Sequence, residues 1–489
     1  MEYQSFDESP EMRASFASME TDNSPRPKGS AWLAWLVIVV TIGLILLPQF
    51  GGEKGETSDP SIIMFEIQAR YLVGASSMSI TDDRTNEEQI QTQFGKGSFR
   101  QRLMGAVLFG ERVGPDKSAK ALGELETGIE NGTLKASVSD HEIVRVLKRI
   151  QTARIENRAL NDAFTEEEWQ ANRKLLPNRL GWVGQLALSP PGSPDREERT
   201  RLLEHARRTL FVILGVFGLA ILAIACGVLL QIVWWIFAAV GRLNSGIGAL
   251  RGDGAIYAET FAVWLALFMA LNYTLMVLPL PKLGLVWVLI PQIGSLGALA
   301  WPVFRGLSWR DVRKDIGLSF GPQAWSAPFV GVAAYLSALP VVGLAMIVTL
   351  LMMAVASQFA GAGDATAAPI HPIVEPILRG NWTLRLQLMF VAVFAAVPEE
   401  IMFRGVLYRH LREAGARFGY LGSVAFATFI SSFVFAVIHP QGLFGIPILM
   451  SLAIVFALVR EWRGSLIPSI IAHALVNAGT SSVLLLIAD

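Results

Sequence analysis

Apolar and polar positions divide the chain into two regions. Residues 51–208 hold about 47 of the 82 charged side chains, and no apolar run there is long enough to cross the ~30 Å hydrocarbon core of a bilayer. From Thr209 onward the pattern reverses, and apolar runs of membrane-spanning length follow one another. We therefore predict a polar domain over residues 51–208 and a membrane domain over residues 209–489.

Apolar runs predict nine membrane-spanning helices. The first, over residues 31–50, follows a polar tail, and since no small-residue cleavage site comes after it, we interpret it as an uncleaved anchor. The tail, residues 1–30, is acidic and interrupted by proline, which is typical of disorder. The eight further spans are predicted at residues 209–240, 257–279, 283–304, 325–357, 386–405, 419–438, 443–459 and 465–487. This pattern predicts an all-α polytopic membrane protein, with an eight-helix bundle after the anchor and the polar domain.

The polar domain is predicted to be mostly helical. The stretch "DHEIVRVLKRIQTARIENRAL", which begins at Asp140, alternates charged and apolar residues at helical spacing. In "TEEEWQANRKLL", Thr165 stands at the position of an N-cap residue, and acidic residues follow it. The role of this domain is open, and a ligand or a partner protein of residues 51–208 is one expectation.

Composition agrees with a membrane protein. Of 489 residues, 52% are hydrophobic and only 17% are charged, a balance more apolar than that of soluble proteins. The formal net charge is zero, so nothing indicates a nucleic-acid partner. Cys226 is the single cysteine, which excludes an internal disulfide framework and a CxxC motif.

Basic residues in short loops predict the orientation. The stretches "RGLSWRDVRK", "YRHLREAGAR" and "REWRG" fall on one side of the predicted spans, which we assign to the cytoplasm. Residues 51–208 are then extracytoplasmic, and the expected location is the plasma membrane, taken to be bacterial. The cluster of basic residues before the second span, at 196–208, opposes this assignment, but long domains translocate largely regardless of charge.

Two adjacent carboxylates interrupt the apolar run "FAAVPEEIMFRG". Ionisable residues inside a span are costly and usually face a cavity or one another. Glu400 and Arg404 are four residues apart, so a helix places them on one face, where they can form an ion pair. Glu399 is rotated by about 100° from Glu400 and is left without that partner. Pro398 removes a backbone donor and can kink the helix, which would open space for water.

Two further pairs of polar or aromatic residues repeat this spacing. Phe435 and His439 are four residues apart near the end of one predicted span, and His473 and Asn477 are four apart in the last one. A carboxylate with an imidazole can act as a general base on water. A second imidazole or an amide can donate hydrogen bonds to the oxyanion that forms on a carbonyl. The residue types are therefore those of hydrolysis by an activated water.

Other interpretations of the same residues stay open. Glu399, His439 and His473 could instead bind one divalent metal ion such as zinc, with a position left for water. A packed histidine, an interfacial acidic pair and an asparagine between helices are the purely structural alternatives. The chain has no complete HExxH, P-loop or GxSxG motif.

The three motifs together resemble a known family. "EEIMFR" (Glu399 to Arg404), "FAVIH" (Phe435 to His439) and "HALVN" (His473 to Asn477) match EExxxR, FxxxH and HxxxN in order. This resembles the CPBP family of intramembrane proteases, which includes type II CAAX prenyl endopeptidases and ABI-type proteins of bacteriocin self-immunity. The tight match covers about residues 385–485.

The resemblance implies an intramembrane endopeptidase acting on a membrane-associated protein or peptide in the lipid bilayer. It assigns Glu399 and His439 to activation of water, and His473 and Asn477 to the oxyanion. Supporting roles fall to the motif residues Glu400, Arg404 and Phe435. Members are often called metalloproteases, so one divalent metal or none is expected. A transporter with a buried Glu/His/Arg site and a non-catalytic receptor or scaffold are the alternatives, although no repeat symmetry of the kind that transporters show is present.

Helix lengths conflict with a shared site for His439 and His473. If the span from residue 419 is straight, His439 lies ~30 Å from the cytoplasmic face, whereas His473 lies only ~12 Å inside it. Both can join one site only if residues 406–424 are partly interfacial, or if a helix is broken or tilted. We therefore interpret "LYRHLREAGARFGY" as an amphipathic helix lying along the membrane.

Overall fold

The fold is all-α and carries the helices of a polytopic membrane protein. The computed structural model describes residues 29–51, 60–95, 97–134, 137–193, 195–248, 250, 254–278, 285–320, 324–359, 371 and 373–488. Most of the tail predicted to be disordered, residues 1–28, lies outside this set. Among the described residues eight helices are long and apolar enough to cross a membrane, and each of them overlaps a span predicted after the anchor.

The helices divide between two compact units. One unit, called the membrane unit below, contains residues 1–53, 221–354 and 369–482. The other, called the polar unit, contains residues 54–220, 355–368 and 483–489. In chain order the α-helices are α1 Ala31–Gly51, α2 Pro60–Ser77, α3 Asp83–Phe94, α4 Phe99–Arg112, α5 Pro115–Glu130, α6 Val138–Ile155, α7 Leu160–Ala163, α8 Glu166–Leu180, α9 Trp182–Leu188, α10 Arg196–Ala239, α11 Ala255–Val277, α12 Leu285–Gly294, α13 Trp301–Phe304, α14 Trp309–Asp315, α15 Ala327–Phe359, α16 Val374–Arg379, α17 Trp382–Glu400, α18 Tyr408–Ala414, α19 Gly419–Val437, α20 Ile446–Arg463 and α21 Ile467–Ala488. A π-helical segment, Ile401–Leu407, joins α17 to α18.

The polar unit is built from amphipathic helices around their own apolar core. Leu147 and Ile150 of α6 are fully buried in this core, on one face of the stretch whose spacing predicted a helix. At the start of α8, the Thr165 side chain accepts a hydrogen bond from the Glu168 backbone N–H, and the Glu168 carboxylate accepts one from Thr165 N–H. This capping box confirms the predicted N-cap and satisfies two donors at the helix end.

Helix α1, the predicted anchor, packs into the membrane unit against α11 and α18. Ala34 and Ile38 of α1 are buried in the apolar core of that unit. Trp35 Nε1 donates a hydrogen bond of 3.0 Å to His410 Nε2, whose Nδ1 donates to the Gly254 carbonyl oxygen at 2.7 Å. The helix is therefore an integral wall of the bundle and not a separate tether.

Residues 406–414 continue the helix that carries the glutamates and do not begin a separate helix. A single helical run, Trp382–Ala414, continues through the π segment into α18. The Arg412 guanidinium donates to both carboxylate oxygens of Glu461, at 3.0 and 3.1 Å, and both side chains are buried. Because partners inside the protein neutralise these charges, a segment that looks interfacial by composition lies inside the bundle.

This longer helix also removes the conflict over His439 and His473. Ala414 lies fifteen residues beyond Glu399, about 22 Å along the helix, whereas His473 lies only about 9 Å beyond the first residue of α21. Glu399 and His473 lie side by side, so both distances start at the same depth in the bundle. The turn between α18 and α19 therefore extends well past the first residue of α21. This stagger lets the end of α19 reach the same depth as His473.

Candidate active site

Glu399 lies between two imidazoles that come from different helices. Its Oε2 atom is 3.8 Å from His439 Nε2 and 3.7 Å from His473 Nε2. Glu399 is at the end of α17, His439 follows the end of α19, and His473 is in α21. The structure therefore brings together the three groups that the sequence proposed for one site.

Glu400 and Arg404 form the ion pair predicted from their spacing. Arg404 Nη1 lies 2.9 Å from Glu400 Oε1, and both side chains are almost wholly buried. His473 Nδ1 donates a hydrogen bond of 2.9 Å to the same oxygen of Glu400, since a carboxylate oxygen can only accept. Glu400 therefore orients the imidazole whose other nitrogen faces Glu399.

Both glutamates lie where the helix changes its hydrogen-bonding pattern. Helix α17 continues through Pro398 to Glu400, and the π segment Ile401–Leu407 follows immediately. Pro398 has no backbone N–H to donate, so one bond of the α-helical ladder is missing just before the two carboxylates. Widened π turns inside α-helices are frequently found at functional sites.

Phe435 fills the space between the ion pair and the imidazoles. Its ring centroid is 4.3 Å from that of His439 and 5.8 Å from that of His473. The Arg404 guanidinium carbon lies 4.4 Å from the Phe435 centroid, within the range of a cation–π interaction. His439 Nδ1 in turn donates to the Phe435 backbone carbonyl. Phe435 therefore fixes the position of the His439 ring and determines that Nδ1 carries its hydrogen.

Asn477 is bonded to the helix that carries the glutamates. Its Nδ2 donates a hydrogen bond of 2.7 Å to the Ala392 carbonyl oxygen, which links α21 to α17. One amide hydrogen is thus used between helices, as in the structural alternative, and the second amide hydrogen is left for another acceptor.

A cavity of about 350 Å³ opens onto Glu399 and His439. The side chains of Glu399 and His439 are 19% and 16% exposed, whereas those of Glu400 and Arg404 are at most 1% exposed. The Glu399 carboxylate and the His439 imidazole therefore face the cavity, while the Glu400–Arg404 ion pair is buried in the protein next to them. The residues that line the cavity are Ile45, Trp264, Leu265, Phe268, Met269, Asn272, Gln292, His371, Glu399, Phe403, Ile438, His439 and Pro440.

Several of these residues were missed by the sequence analysis. Asn272 and Gln292 are polar residues within apolar spans, a signal that was available and not used. Ile45 of α1 and Phe268 of α11 carry no chemical signal at all, because ordinary apolar residues are expected in such helices. The sequence analysis did not single out His371, which lines the same cavity as Glu399.

One carboxylate and two imidazoles are also the donor types of a zinc site. Among the described residues, no group of three His, Cys, Asp or Glu side chains is arranged to hold a metal ion. Glu399 Oε2 nevertheless lies 3.8 and 3.7 Å from the Nε2 atoms of His439 and His473, close to the separation of two ligand atoms around a tetrahedral zinc ion. The hydrogen bond from His473 Nδ1 to Glu400 is the usual support of a metal-binding imidazole. The same atoms can instead hold a water molecule between acceptors and donors.

Residues 381–479 match the family model described as type II CAAX prenyl endopeptidase Rce1-like. This match contains all three motifs and confirms the resemblance for that part of the chain. It supports a protease, and hence a hydrolase, in an integral membrane protein. Comparison with curated proteins and comparison with solved structures each give no match. Helix α1 and residues 51–208 lie outside the matched range.

Proposed function

We propose that the chain is an intramembrane endopeptidase of the CAAX-processing type, which hydrolyses a peptide bond of a membrane-associated protein or peptide. The observation that carries this proposal is the position of Glu399, with two imidazole nitrogens within 4 Å of one carboxylate oxygen on the wall of a cavity. Residues 51–208 are proposed to act as a separate, extracytoplasmic domain.

Activation of water is assigned to Glu399 and His439. Because His439 Nδ1 gives its hydrogen to the Phe435 carbonyl, the neutral ring has a lone pair on Nε2, facing Glu399. A water between them donates one hydrogen to Glu399 Oε2 and the other to His439 Nε2. As the water oxygen attacks the scissile carbonyl carbon, its proton passes to Glu399, which acts as the general base.

Stabilisation of the oxyanion is assigned to His473 and Asn477. His473 Nδ1 already donates to Glu400, so its Nε2 can donate only when the ring is doubly protonated. The proposal therefore requires the imidazolium form of His473, with Glu400 and Arg404 completing a balanced set of charges around it. Asn477 contributes the amide hydrogen that is not bonded to Ala392.

Collapse of the tetrahedral intermediate returns the proton. The oxyanion reforms the carbonyl, the C–N bond breaks, and Glu399 gives the proton it received from water to the leaving amine. The products are a peptide with a new carboxyl group and a peptide with a new amine, and transfer of the second water proton from one to the other gives a carboxylate and an ammonium group. No step of this sequence draws on groups outside the site and one water molecule.

The test is cleavage of quenched fluorescent peptides by the purified protein in liposomes. Glu399→Gln keeps the size of the side chain and removes the base, and His439→Ala removes the second acceptor. We expect both variants to lose at least about 10²-fold in kcat, the usual contribution of general-base catalysis, while the melting temperature stays near that of the wild type.

Two outcomes would count against the proposal. Full turnover by Glu399→Gln would remove the proposed base. Loss of wild-type activity in chelator, with recovery on adding back zinc, would replace the water arrangement by a metal centre. The proposed steps use only side chains and one water molecule, so they predict that activity persists in chelator.

A further inference from the structure

A second imidazole, besides that of His439, lies on the wall of the cavity. His371 precedes α16 and lies ahead of the matched range 381–479, so it belongs to none of the three motifs. It lines the cavity together with Glu399 and His439. Both residues affect the pKa of the His371 ring, since Glu399 raises it and His439 lowers it through their charges.

The hydrogen bonding of His371 determines which of its nitrogens can donate. The Ile373 backbone N–H donates a hydrogen bond of 3.1 Å to His371 Nδ1, so this nitrogen is an acceptor. A neutral ring then carries its hydrogen on Nε2. Burial lowers the pKa of His371 below 6.5, since desolvation outweighs the attraction of Glu399, and the neutral form therefore prevails at pH 7. His371 offers one donor, Nε2–H, to the cavity.

The rest of the cavity indicates which acceptor suits this donor. Its described lining contains the carboxylate of Glu399 but no lysine or arginine, and most of its other residues are apolar or aromatic, such as Ile45, Phe268 and Met269. A second carboxylate would be repelled by Glu399 with no cation to offset it. A neutral carbonyl oxygen carries no such penalty and needs one donor in apolar surroundings.

We propose that His371 binds the substrate, by donating a hydrogen bond from Nε2 to a backbone carbonyl oxygen of the peptide held beside Glu399. This inference rests on the proposed peptidase function and adds to it a substrate-binding residue outside the matched motifs. The bond forms with the substrate before the reaction and persists through it. Its removal therefore weakens substrate binding more than it slows the chemical step.

The experiment compares three variants by steady-state cleavage in liposomes and by thermal unfolding. His371→Leu removes the donor, His371→Gln keeps an N–H donor at a similar reach, and His141→Leu makes the same change at an exposed histidine of the polar unit. We expect KM to rise about tenfold in His371→Leu with kcat changed less than about threefold. His371→Gln and His141→Leu should stay within about threefold of the wild type in both constants.

A second arm identifies the acceptor. The peptide is prepared with a C-terminal carboxylate and with a C-terminal carboxamide, and both are cleaved by the wild type and by His371→Leu. We expect the same loss with both peptides, since the acceptor is a backbone carbonyl. A loss confined to the carboxylate peptide would overturn that assignment and make His371 a carboxylate-binding residue.

The outcomes separate this inference from the proposed function. If cleavage requires Glu399 but His371→Leu has the KM of the wild type, the proposal for His371 is wrong and the peptidase function stands. An equal fall in melting temperature for His371→Leu and His371→Gln, with kcat reduced in both, would show a structural role instead. Cleavage that does not require Glu399 would overturn both proposals.

Discussion

Arg404 Nη1 lies 2.9 Å from Glu400 Oε1 in an ion pair from which solvent is almost wholly excluded. Burying two charges costs several kcal/mol per ion, which their attraction repays only with good geometry and further hydrogen bonds. The further contacts here are the hydrogen bond from His473 Nδ1 to Glu400 and the Phe435 ring under the guanidinium. The pair therefore holds an imidazole in place as well as balancing charge.

Removal of one partner of this pair should destabilise the protein more than removal of both. Arg404→Leu leaves a buried carboxylate without its arginine, and Glu400→Leu leaves a buried guanidinium, so each should cost about 3–5 kcal/mol. In the double variant no lone charge remains, and we expect part of that loss to be recovered. Denaturant unfolding in detergent, followed by tryptophan fluorescence, gives the comparison.

Activity separates the two roles of the pair. The double variant should still lose most of its kcat, because His473 no longer has Glu400 as a hydrogen-bond acceptor. A double variant that is less stable than both single variants would mean that the pair contributes net stability. A double variant that cleaves like the wild type would mean that Glu400 does not orient His473.

Replacement of Asn477 should affect both catalysis and the contact between helices. Asn477→Ala removes the hydrogen bond to the Ala392 carbonyl, which should cost about 1 kcal/mol, the scale of hydrogen bonds between helices in membranes. If the second amide hydrogen serves the oxyanion, kcat should also fall about 10²-fold. Unfolding and cleavage assays on the same preparation measure the two effects. A fall in stability with an unchanged kcat would assign Asn477 to helix packing alone.

A tryptophan at Ile45 should obstruct the cavity. Ile45 of α1 lines the cavity that contains Glu399, so Ile45→Trp should lower kcat/KM at least about tenfold by excluding substrate, with little change in melting temperature. Leu44→Trp is the matched control, because the neighbouring side chain is 48% exposed and lies outside the cavity lining. Equal effects of the two variants would contradict a role for α1 in the site.

The two sides of the membrane can be distinguished with the single native cysteine removed. In a Cys226→Ser background, Lys120→Cys lies in the polar unit and Arg310→Cys lies in a predicted cytoplasmic loop, and both positions are exposed. We expect a membrane-impermeant maleimide to label position 120 in intact cells, and position 310 only after permeabilisation. Labelling of both positions in intact cells would overturn the predicted orientation.

Helix existence could be predicted because it depends on composition over about 20 residues. Helix boundaries could not. The helix that contains the span predicted over residues 386–405 runs from Trp382 to Ala414, and its last turn is accommodated because Arg412 is neutralised by Glu461 from another helix. A sequence pattern registers the charge of an arginine but not the distant carboxylate that makes its burial possible.

Spacing also predicted the contacts within one helix. Glu400 with Arg404 and Phe435 with His439 are in contact as their four-residue separations indicated. His371 could not be found in this way, because it lies in a loop with no periodic pattern. Its place on the cavity wall depends on the packing of helices that are far from it in sequence.

The amino-acid sequence by itself determined an all-helical membrane bundle and the polar residues that belong to neighbouring turns of each helix, because hydrophobic run length and helical period act locally along the chain. Only the tertiary structure decided that Glu399 meets His439 and His473, and that Ile45 of α1 lines the cavity onto which Glu399 opens. These relationships depend on the stagger between helices, which is set by side-chain packing and buried ion pairs between residues that are far apart in sequence.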